Sequence, residues 1–312
     1  MDFELTADQV DLQAGVRKLL EGRFAMDVVR GLEASDGVDR ALWQELADAG
    51  VFTLRVPEAA GGVGLGTAES VLVFEELGRA CVPGPLVASE IASTNEVVGI
   101  VERRRGPSAI EYFGVLDRLL VISEREVAEV DPAAVAAQRV KSPLDPLSPL
   151  WVADTLPIGE RVGDEELSAR IRLNGALLTA ALQLGLSEAV LDASVAYAKE
   201  RQQFDKPIGT FQAVKHLLAD MLVRTEVARA AVYAAGVTLD DPSVGDAARA
   251  VAAAKITAGA AAVKNGKAAV QVHGGMGFTW EVDVHLYLKR AWVLDTNFGT
   301  PDAYSEYLAL SL

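Results

Sequence analysis

The chain has 312 residues, half of them apolar, which is enough to bury sizeable cores in two or three compact units. Forty-four acidic and 29 basic side chains give a formal net charge of −15, which argues against nucleic acid as a partner. The single cysteine, Cys81, excludes an internal disulfide and a cysteine-pair metal site. The sequence shows neither a leader peptide nor an apolar run of membrane-spanning length, so we expect a cytoplasmic protein that binds no membrane.

The first 80 residues predict three helices. Thr6 with Gln9 three positions later has the pattern of a capping box, so the first helix should begin there. A second helix carries Trp43 and Leu46, and Gly50 is placed to end it in the left-handed conformation. A third is expected from about residue 69 to 79. The glycine-rich stretch 56–66 between them does not fit a phosphate-binding pattern, so we interpret it as a structural loop.

The middle of the chain differs in kind. Eight of the twelve prolines fall between Pro83 and Pro157, which argues against long helices there. Short apolar runs at 119–122 and 150–152 predict strands of a small β unit.

Helical periodicity returns from about residue 165. Apolar residues recur three and four positions apart in 182–191 and again in 211–222, as on the buried faces of helices. Alanine dominates between 247 and 270, which favours helix and close helix packing. This region therefore predicts a four-helix bundle.

Two motifs in the bundle carry the functional information. The first runs from Arg201 through Phe204 to Gly209 and continues to Gln212, and the second covers 271–279 with the pair Gly274 and Gly275. In this order and at this distance they resemble the C-terminal domain of the acyl-CoA dehydrogenases. The stretch 42–78 resembles the N-terminal domain of the same family.

The resemblance implies a mainly α protein of acyl-CoA dehydrogenase type in three parts. These are an N-terminal helical domain at 1–82, a reduced middle β domain at 83–165 and a C-terminal four-helix bundle domain at 166–312. The family's usual Thr-Glu-Pro and Gly-Ser-Asp patterns are absent from the middle part. We therefore expect a remnant that has lost its own flavin-ring pocket.

In the family, the C-terminal domain of one subunit binds the diphosphate and adenosine of the FAD that belongs to the neighbouring subunit. A guanidinium can pair with the diphosphate, an aromatic ring can pack on the cofactor, and glycines let the backbone approach closely. Each residue taken alone also has a structural interpretation, such as a helix end or a solvated face. The matching residues, predicted as cofactor contacts, are Arg201, Phe204, Gln212, Gln271, Gly274 and Gly275.

The family's reaction removes a proton from the acyl α-carbon and therefore needs a carboxylate base. The position of the usual glutamate falls at Phe298, and the alternative position on the first bundle helix falls at Gly175. Neither residue can accept a proton, so we predict no catalytic residue in this chain. Asp295 and Glu281 lie nearby as substitute bases, but their spacing favours solvent-facing or capping roles. The three histidines lack metal-ligand spacing, so no metal site is predicted.

A member without either base resembles the smaller subunit of heteromeric α2β2 bacterial dehydrogenases acting on steroid side-chain CoA thioesters. The resemblance implies that a larger homologous partner supplies the catalytic glutamate, binds most of the acyl-CoA and shares its FAD with this chain. The isolated chain is then expected to be inactive. Two alternatives stay open at this point, a complete flavoenzyme with a displaced base and a cofactor-free helical scaffold.

Overall fold

The fold was analysed in a computed structural model that describes residues 4–311. Two compact units are formed from alternating parts of the chain. The first unit contains residues up to 26, then 67–82 and 176–312, and the second contains 27–66 and 83–175. The limits of the three predicted domains are not tested by this division and stay a prediction.

Helices account for most of the ordered backbone. Helix α6 belongs to the second unit up to residue 175 and to the first unit from there on. The helices, in chain order, are α1 (Ala7–Arg23), α2 (Met26–Gly31), α3 (Arg40–Asp48), α4 (Thr67–Arg79), α5 (Leu86–Ile91), α6 (Glu165–Glu200), α7 (Gln212–Asp240), α8 (Ala247–His273), α9 (Val284–Leu294) and α10 (Pro301–Leu310). The fold is thus mainly α, as the sequence predicts.

The predicted helix ends are confirmed where the sequence specifies them. Thr6 and Gln9 form the complete capping box at the start of α1. Gly50 follows α3 with φ +80°, the left-handed conformation that glycine adopts without strain. Local side-chain and backbone chemistry alone is enough to fix these ends.

The predicted four-helix bundle forms in the first unit. Its core contains Val190 and Leu191 from α6, Met221 from α7, Ala269 from α8 and Leu288 from α9, all buried. The alanine-rich helix α8 runs beside α7 over most of its length. Small side chains on α8 permit this close packing because they keep the two backbones near each other.

Helices α4 and α6 also approach backbone to backbone in this unit. A Cβ atom placed on Gly78 would lie 2.1 Å from the carbonyl oxygen of Leu182, and one on Gly185 would lie 1.9 Å from that of Glu75. Only glycine fits both positions. Around this crossing Arg229 of α7 pairs with the buried Glu75, and Arg17 of α1 pairs with Glu76.

The second unit holds the β structure. A four-stranded sheet has the order β1-β3-β4-β7, with β1 parallel to β3 and the other pairs antiparallel, and an antiparallel three-stranded sheet has the order β2-β6-β5. The strands are β1 (Val98–Glu102), β2 (Ser108–Glu111), β3 (Arg118–Ile122), β4 (Glu126–Val130), β5 (Ala137–Arg139), β6 (Leu150–Ala153) and β7 (Glu160–Asp164).

Both predicted strands are present, as β3 and β6. Their inward side chains, among them Leu119, Val121 and Ala153, form one buried cluster with Val101 and Ile110. The glycine-rich loop 56–66 of the same unit folds back on itself through backbone hydrogen bonds, so its structural interpretation is confirmed.

The described residues include one helix of membrane-spanning length and no cluster of metal ligands. Helix α6 is long and apolar enough to cross a bilayer by length and composition, but 78% of the relevant window is buried, as in the core helix of a folded protein. Across residues 4–311 no three His, Cys, Asp or Glu side chains are grouped as metal ligands. Cys81 is buried and is not part of a disulfide.

Candidate cofactor-contact surface

The first motif folds into a tight hairpin directly after α6. Strands β8 (Gln202–Gln203) and β9 (Lys206–Pro207) pair antiparallel around a two-residue turn. Phe204 and Asp205 form that turn with φ +53° and +60°. Positive φ is uncommon in residues other than glycine, and such strain concentrates at functional sites. The turn places the Phe204 ring outward, with 85% of the residue exposed.

The hairpin leads straight into α7. The Phe204 ring meets the edge of Phe211 at 6.1 Å between centroids, and the Lys206 ammonium lies 4.6 Å from the centre of the Phe211 ring. Phe211 precedes Gln212, the first residue of α7. These contacts fix the hairpin beside the helix start, so Phe204 and Gln212 belong to one surface.

The second motif ends helix α8. The N–H of Gly274 donates to the carbonyl of Gln271, and Gly274 has φ +62°. A short 3-10 turn follows at Gly274–Phe278, and its buried Gly277 lies against the backbone of Val270. The loop is thus anchored at Gly277, while a Cβ atom on Gly274 or Gly275 would meet nothing within 4 Å.

Tyr197, which the sequence analysis did not single out, joins the two motifs. It lies on the last turn of α6, stacks on His273 at 4.3 Å between ring centroids, and its hydroxyl lies 3.9 Å from the sulfur of Met276. His273 in turn is held by Ala269, whose carbonyl is 2.8 Å from Nδ1. The only sequence signal for this link was the aromatic residue four positions before Arg201.

The six predicted contact residues therefore lie on two neighbouring loops and the helix ends beside them. Arg201 and the Gly274 loop are linked through Tyr197, and Phe204 and Gln212 through Phe211. Gln212 is linked to this group through the preceding Phe211, and Gln271 through its carbonyl, which accepts a hydrogen bond from the N–H of Gly274. Within residues 4–311, no contact joins the side chains of Gln212 and Gln271. We call this set the cofactor-contact surface: Arg201, Phe204, Gln212, Gln271, Gly274 and Gly275.

The first unit carries exposed cations without an ion-pair partner. Arg201 is exposed and has no carboxylate partner in the part of the chain that the structure describes. The same holds, between residues 4 and 311, for the exposed lysines Lys199, Lys206, Lys215, Lys264 and Lys267 of this unit. Arg201 and Lys206 belong to the first motif, and on a chain of net charge −15 such unpaired cations favour an anionic ligand there.

The surface fits a dinucleotide such as FAD. It offers a free guanidinium for phosphate oxygens, an exposed phenyl face and two glycines with open space beside their backbone. All six residues lie in the first unit, so this fit does not depend on the β structure. The contact roles themselves remain a prediction that ligand binding has to test.

Neither of the two positions at which the family places its base carries a carboxylate. Phe298 follows α9 in a left-handed turn with φ +54°, and its carbonyl accepts a hydrogen bond from the Tyr304 hydroxyl at 2.7 Å. In the second unit, Gly175 follows the buried Asn174, whose amide oxygen accepts a hydrogen bond from Arg55. Arg55 also holds Glu90 in a two-bonded ion pair at 2.7 and 2.6 Å.

Asp295, one of the two substitute bases considered, interacts electrostatically with a buried lysine. It caps the C-terminal end of α9 and is only partly exposed, so it has the capping role that its spacing favours, and Glu281 is exposed. Lys255 is fully buried and donates to the carbonyl of Leu294 at 2.6 Å. Burial lowers the pKa of Lys255 to about 7 and raises the pKa of Asp295. The electrostatic attraction between the two side chains opposes both shifts.

Comparison with known proteins places the chain in a family. The acyl-CoA dehydrogenase N-terminal domain matches residues 6–99 and the acyl-CoA dehydrogenase C-terminal domain matches residues 172–309. The acyl-CoA dehydrogenase IpdE2 of Mycobacterium tuberculosis is 35% identical over 294 residues, which cover 90% of this chain and 89% of that protein. The chain belongs to the acyl-CoA dehydrogenase family.

Two solved structures extend the comparison. The ChsE4-ChsE5 complex from M. tuberculosis matches with a TM-score of 0.85 and 25% identity, over 99% of this chain and 98% of the matched chain. A variant of the steroid acyl-CoA dehydrogenase Tcur3481-Tcur3483 matches with a TM-score of 0.83 over 97% of this chain and 96% of the matched chain. At 22% identity the second match shows the shared fold alone.

Proposed function

We propose that this chain is the non-catalytic subunit of a heteromeric, FAD-dependent acyl-CoA dehydrogenase. One observation carries the proposal. The cofactor-contact surface is intact, whereas Phe298 and Gly175 occupy both positions where the family places its base. A chain that keeps one half of an active site and lacks the other is suited to completing the site of a partner.

The partner is a larger homologous subunit that carries the catalytic glutamate and binds most of the acyl-CoA. Similarity to one chain of a two-protein complex supports this assembly, for which we propose α2β2 stoichiometry. The substrate proposed is a steroid side-chain CoA thioester, supported by the likeness to a steroid acyl-CoA dehydrogenase. The assembly and the substrate are both inferred from these similar proteins.

FAD is the cofactor of the proposed complex, where it accepts the hydride removed from the acyl β-carbon. This chain's part is binding. Arg201 would neutralise phosphate charge, Phe204 would cover an apolar face of the cofactor, and Gly274 and Gly275 would admit it close to the backbone. Asp295 caps the end of α9 and interacts electrostatically with the buried Lys255, so we assign it a structural role and not that of a displaced base.

The test compares flavin absorbance per protein mass in two preparations. The chain purified alone should carry no flavin and show no dehydrogenase activity, and the chain co-expressed with a larger homologue should carry about one FAD per heterodimer. Stoichiometric flavin on the chain alone would contradict the proposal. It would favour the alternative that the chain is a complete flavoenzyme with a displaced base.

Arg201→Ala tests the contact surface in the same complex. Loss of a charge-assisted contact to phosphate should weaken FAD binding by roughly tenfold or more while the two proteins stay associated. Arg125→Ala is the matched control, because Arg125 is also exposed and has no ion-pair partner within residues 4–311. Unchanged flavin in Arg201→Ala would favour the cofactor-free scaffold.

A further inference from the structure

The two glycines of the cofactor-contact surface have no side chains that could hold their loop in place. Gly274 and Gly275 are both exposed, and a Cβ atom on either would meet nothing within 4 Å. Glycine loses more conformational freedom on ordering than any other residue, so a loop that contains two of them is costly to fix. The residues on either side of the pair must therefore hold this backbone in the shape that receives a ligand.

Tyr197 contacts both flanks of the glycine pair. Its ring stacks on His273, directly before the glycines, with 4.3 Å between the ring centroids and 24° between the ring planes. Its hydroxyl donates to the sulfur of Met276, directly after the glycines, at 3.9 Å. One side chain near the end of α6 thus bridges the whole pair.

The two flanking residues are themselves ordered. Nδ1 of His273 lies 2.8 Å from the carbonyl oxygen of Ala269. Because a carbonyl oxygen only accepts, Nδ1 carries the proton of this hydrogen bond, which fixes the orientation of the ring. The carbonyl of Met276 accepts hydrogen bonds from both the N–H and the hydroxyl of Thr279, each at 2.9 Å. Tyr197 therefore packs against two fixed points.

Tyr197 also holds the backbone of Arg201. The carbonyl of Tyr197 accepts a hydrogen bond from the Arg201 N–H at 2.8 Å. The Arg201 carbonyl in turn accepts one from the N–H of Ile208 at 2.8 Å, which closes the base of the hairpin. One residue thus contacts the backbone that carries the guanidinium and the loop that carries the glycine pair. Groups that are already held in place bind a ligand more tightly, because less freedom is lost on binding.

We propose that Tyr197 is a positioning residue for FAD binding, an inference that rests on the proposed function. It acts through the glycine pair and Arg201 and not by touching the cofactor. The flat ring is the part that this role needs. It makes the stacking contact with His273, whereas the hydroxyl reaches only a thioether sulfur, which is a weak acceptor.

The first experiment measures the affinity for FAD of the co-expressed complex after its flavin has been removed, by quenching of flavin fluorescence. Tyr197→Ala should weaken binding about tenfold, whereas Tyr197→Phe keeps the ring and should stay within about twofold of the wild type. Tyr307→Ala is the matched control, because Tyr307 is a 41% exposed tyrosine of the same unit. If circular dichroism shows that Tyr197→Ala does not fold, Tyr197→Leu replaces it, since leucine keeps apolar bulk and lacks the ring.

The second experiment measures the positioning itself by hydrogen exchange in the isolated full-length chain. Loss of the stacking contact should let the loop open more often, so the backbone amides of residues 274–278 should exchange severalfold faster in Tyr197→Ala than in the wild type. Tyr197→Phe and Tyr307→Ala should leave the exchange of this loop unchanged.

The outcomes are distinguishable. If the wild-type complex binds no FAD, the proposed function fails and the inference fails with it. If Arg201→Ala weakens FAD binding and Tyr197→Ala does not, only the inference is overturned. Equal losses in Tyr197→Phe and Tyr197→Ala also overturn it, because the hydroxyl and not the ring would then be the group that matters. A loss of affinity in Tyr197→Ala with unchanged exchange of the loop overturns it as well.

Discussion

At the residue scale, the contacts around Asp295 order the turn after α9. Asp295 lies three positions before Phe298 and interacts electrostatically with Lys255, and a Cβ atom placed on Gly259 would lie 2.6 Å from its carboxylate oxygen. The buried lysine also holds the end of α9 through the carbonyl of Leu294. These contacts assign Asp295 and Lys255 to the structure of the bundle and not to proton transfer.

The buried lysine predicts a pH-dependent stability. Burial lowers the pKa of Lys255 to about 7, below the value of about 10.4 in an unfolded chain, so the unfolded state binds more protons between these values. The free energy of unfolding should therefore fall as the pH drops from 10 to 7, by up to roughly 4 kcal/mol. Lys255→Met should remove this dependence, measured by urea unfolding at several pH values.

The control for this measurement is Lys264→Met on the same helix, where the side chain is exposed. Its unfolding free energy should follow the wild-type pH dependence with a constant offset. A constant difference between wild type and Lys255→Met across the same range would show that the lysine titrates normally in the folded chain.

At the element scale, the crossing of α4 and α6 depends on two glycines. Gly185→Ala adds a methyl group that would lie 1.9 Å from a backbone oxygen and 2.5 Å from a backbone nitrogen, so the helices must separate. We expect a loss of at least about 3 kcal/mol, although alanine favours helix by about 1 kcal/mol. Thermal and urea unfolding of the variant measure the change.

Gly15→Ala in α1 is the opposite case. A Cβ atom there meets nothing within 4 Å, and the residue is exposed in a helix interior. The substitution should raise stability by about 0.5–1 kcal/mol through helix propensity. Equal effects of the two substitutions would show that the α4–α6 approach is looser than the structure indicates.

Much at this scale was predictable from the sequence, because it depends on local chemistry. The capping box at Thr6, the stop at Gly50 and the apolar strands β3 and β6 follow from neighbouring residues. The Phe204–Asp205 turn was not predictable, since a turn with positive φ at both positions is unusual for phenylalanine, although aspartate tolerates it. The Tyr197–His273 contact was not predictable either, because it joins two segments 76 positions apart in the sequence.

At the scale of the whole molecule, all six residues of the cofactor-contact surface lie in the first unit. If FAD binds only when the partner completes its site, ligand linkage should stabilise the complex and not the chain. Added FAD should therefore raise the Tm of the co-expressed complex by several degrees and leave the Tm of the isolated chain unchanged. A rise for the isolated chain would contradict a shared site.

The sequence by itself determined the family, the mainly helical fold and the absence of a carboxylate at Phe298 and Gly175, since these depend on residue identity and spacing. Only the tertiary structure decided which cations are unpaired and that Asp295 is partly buried and interacts electrostatically with Lys255. Pairing and burial depend on neighbours distant in the chain, and local sequence patterns do not specify those neighbours.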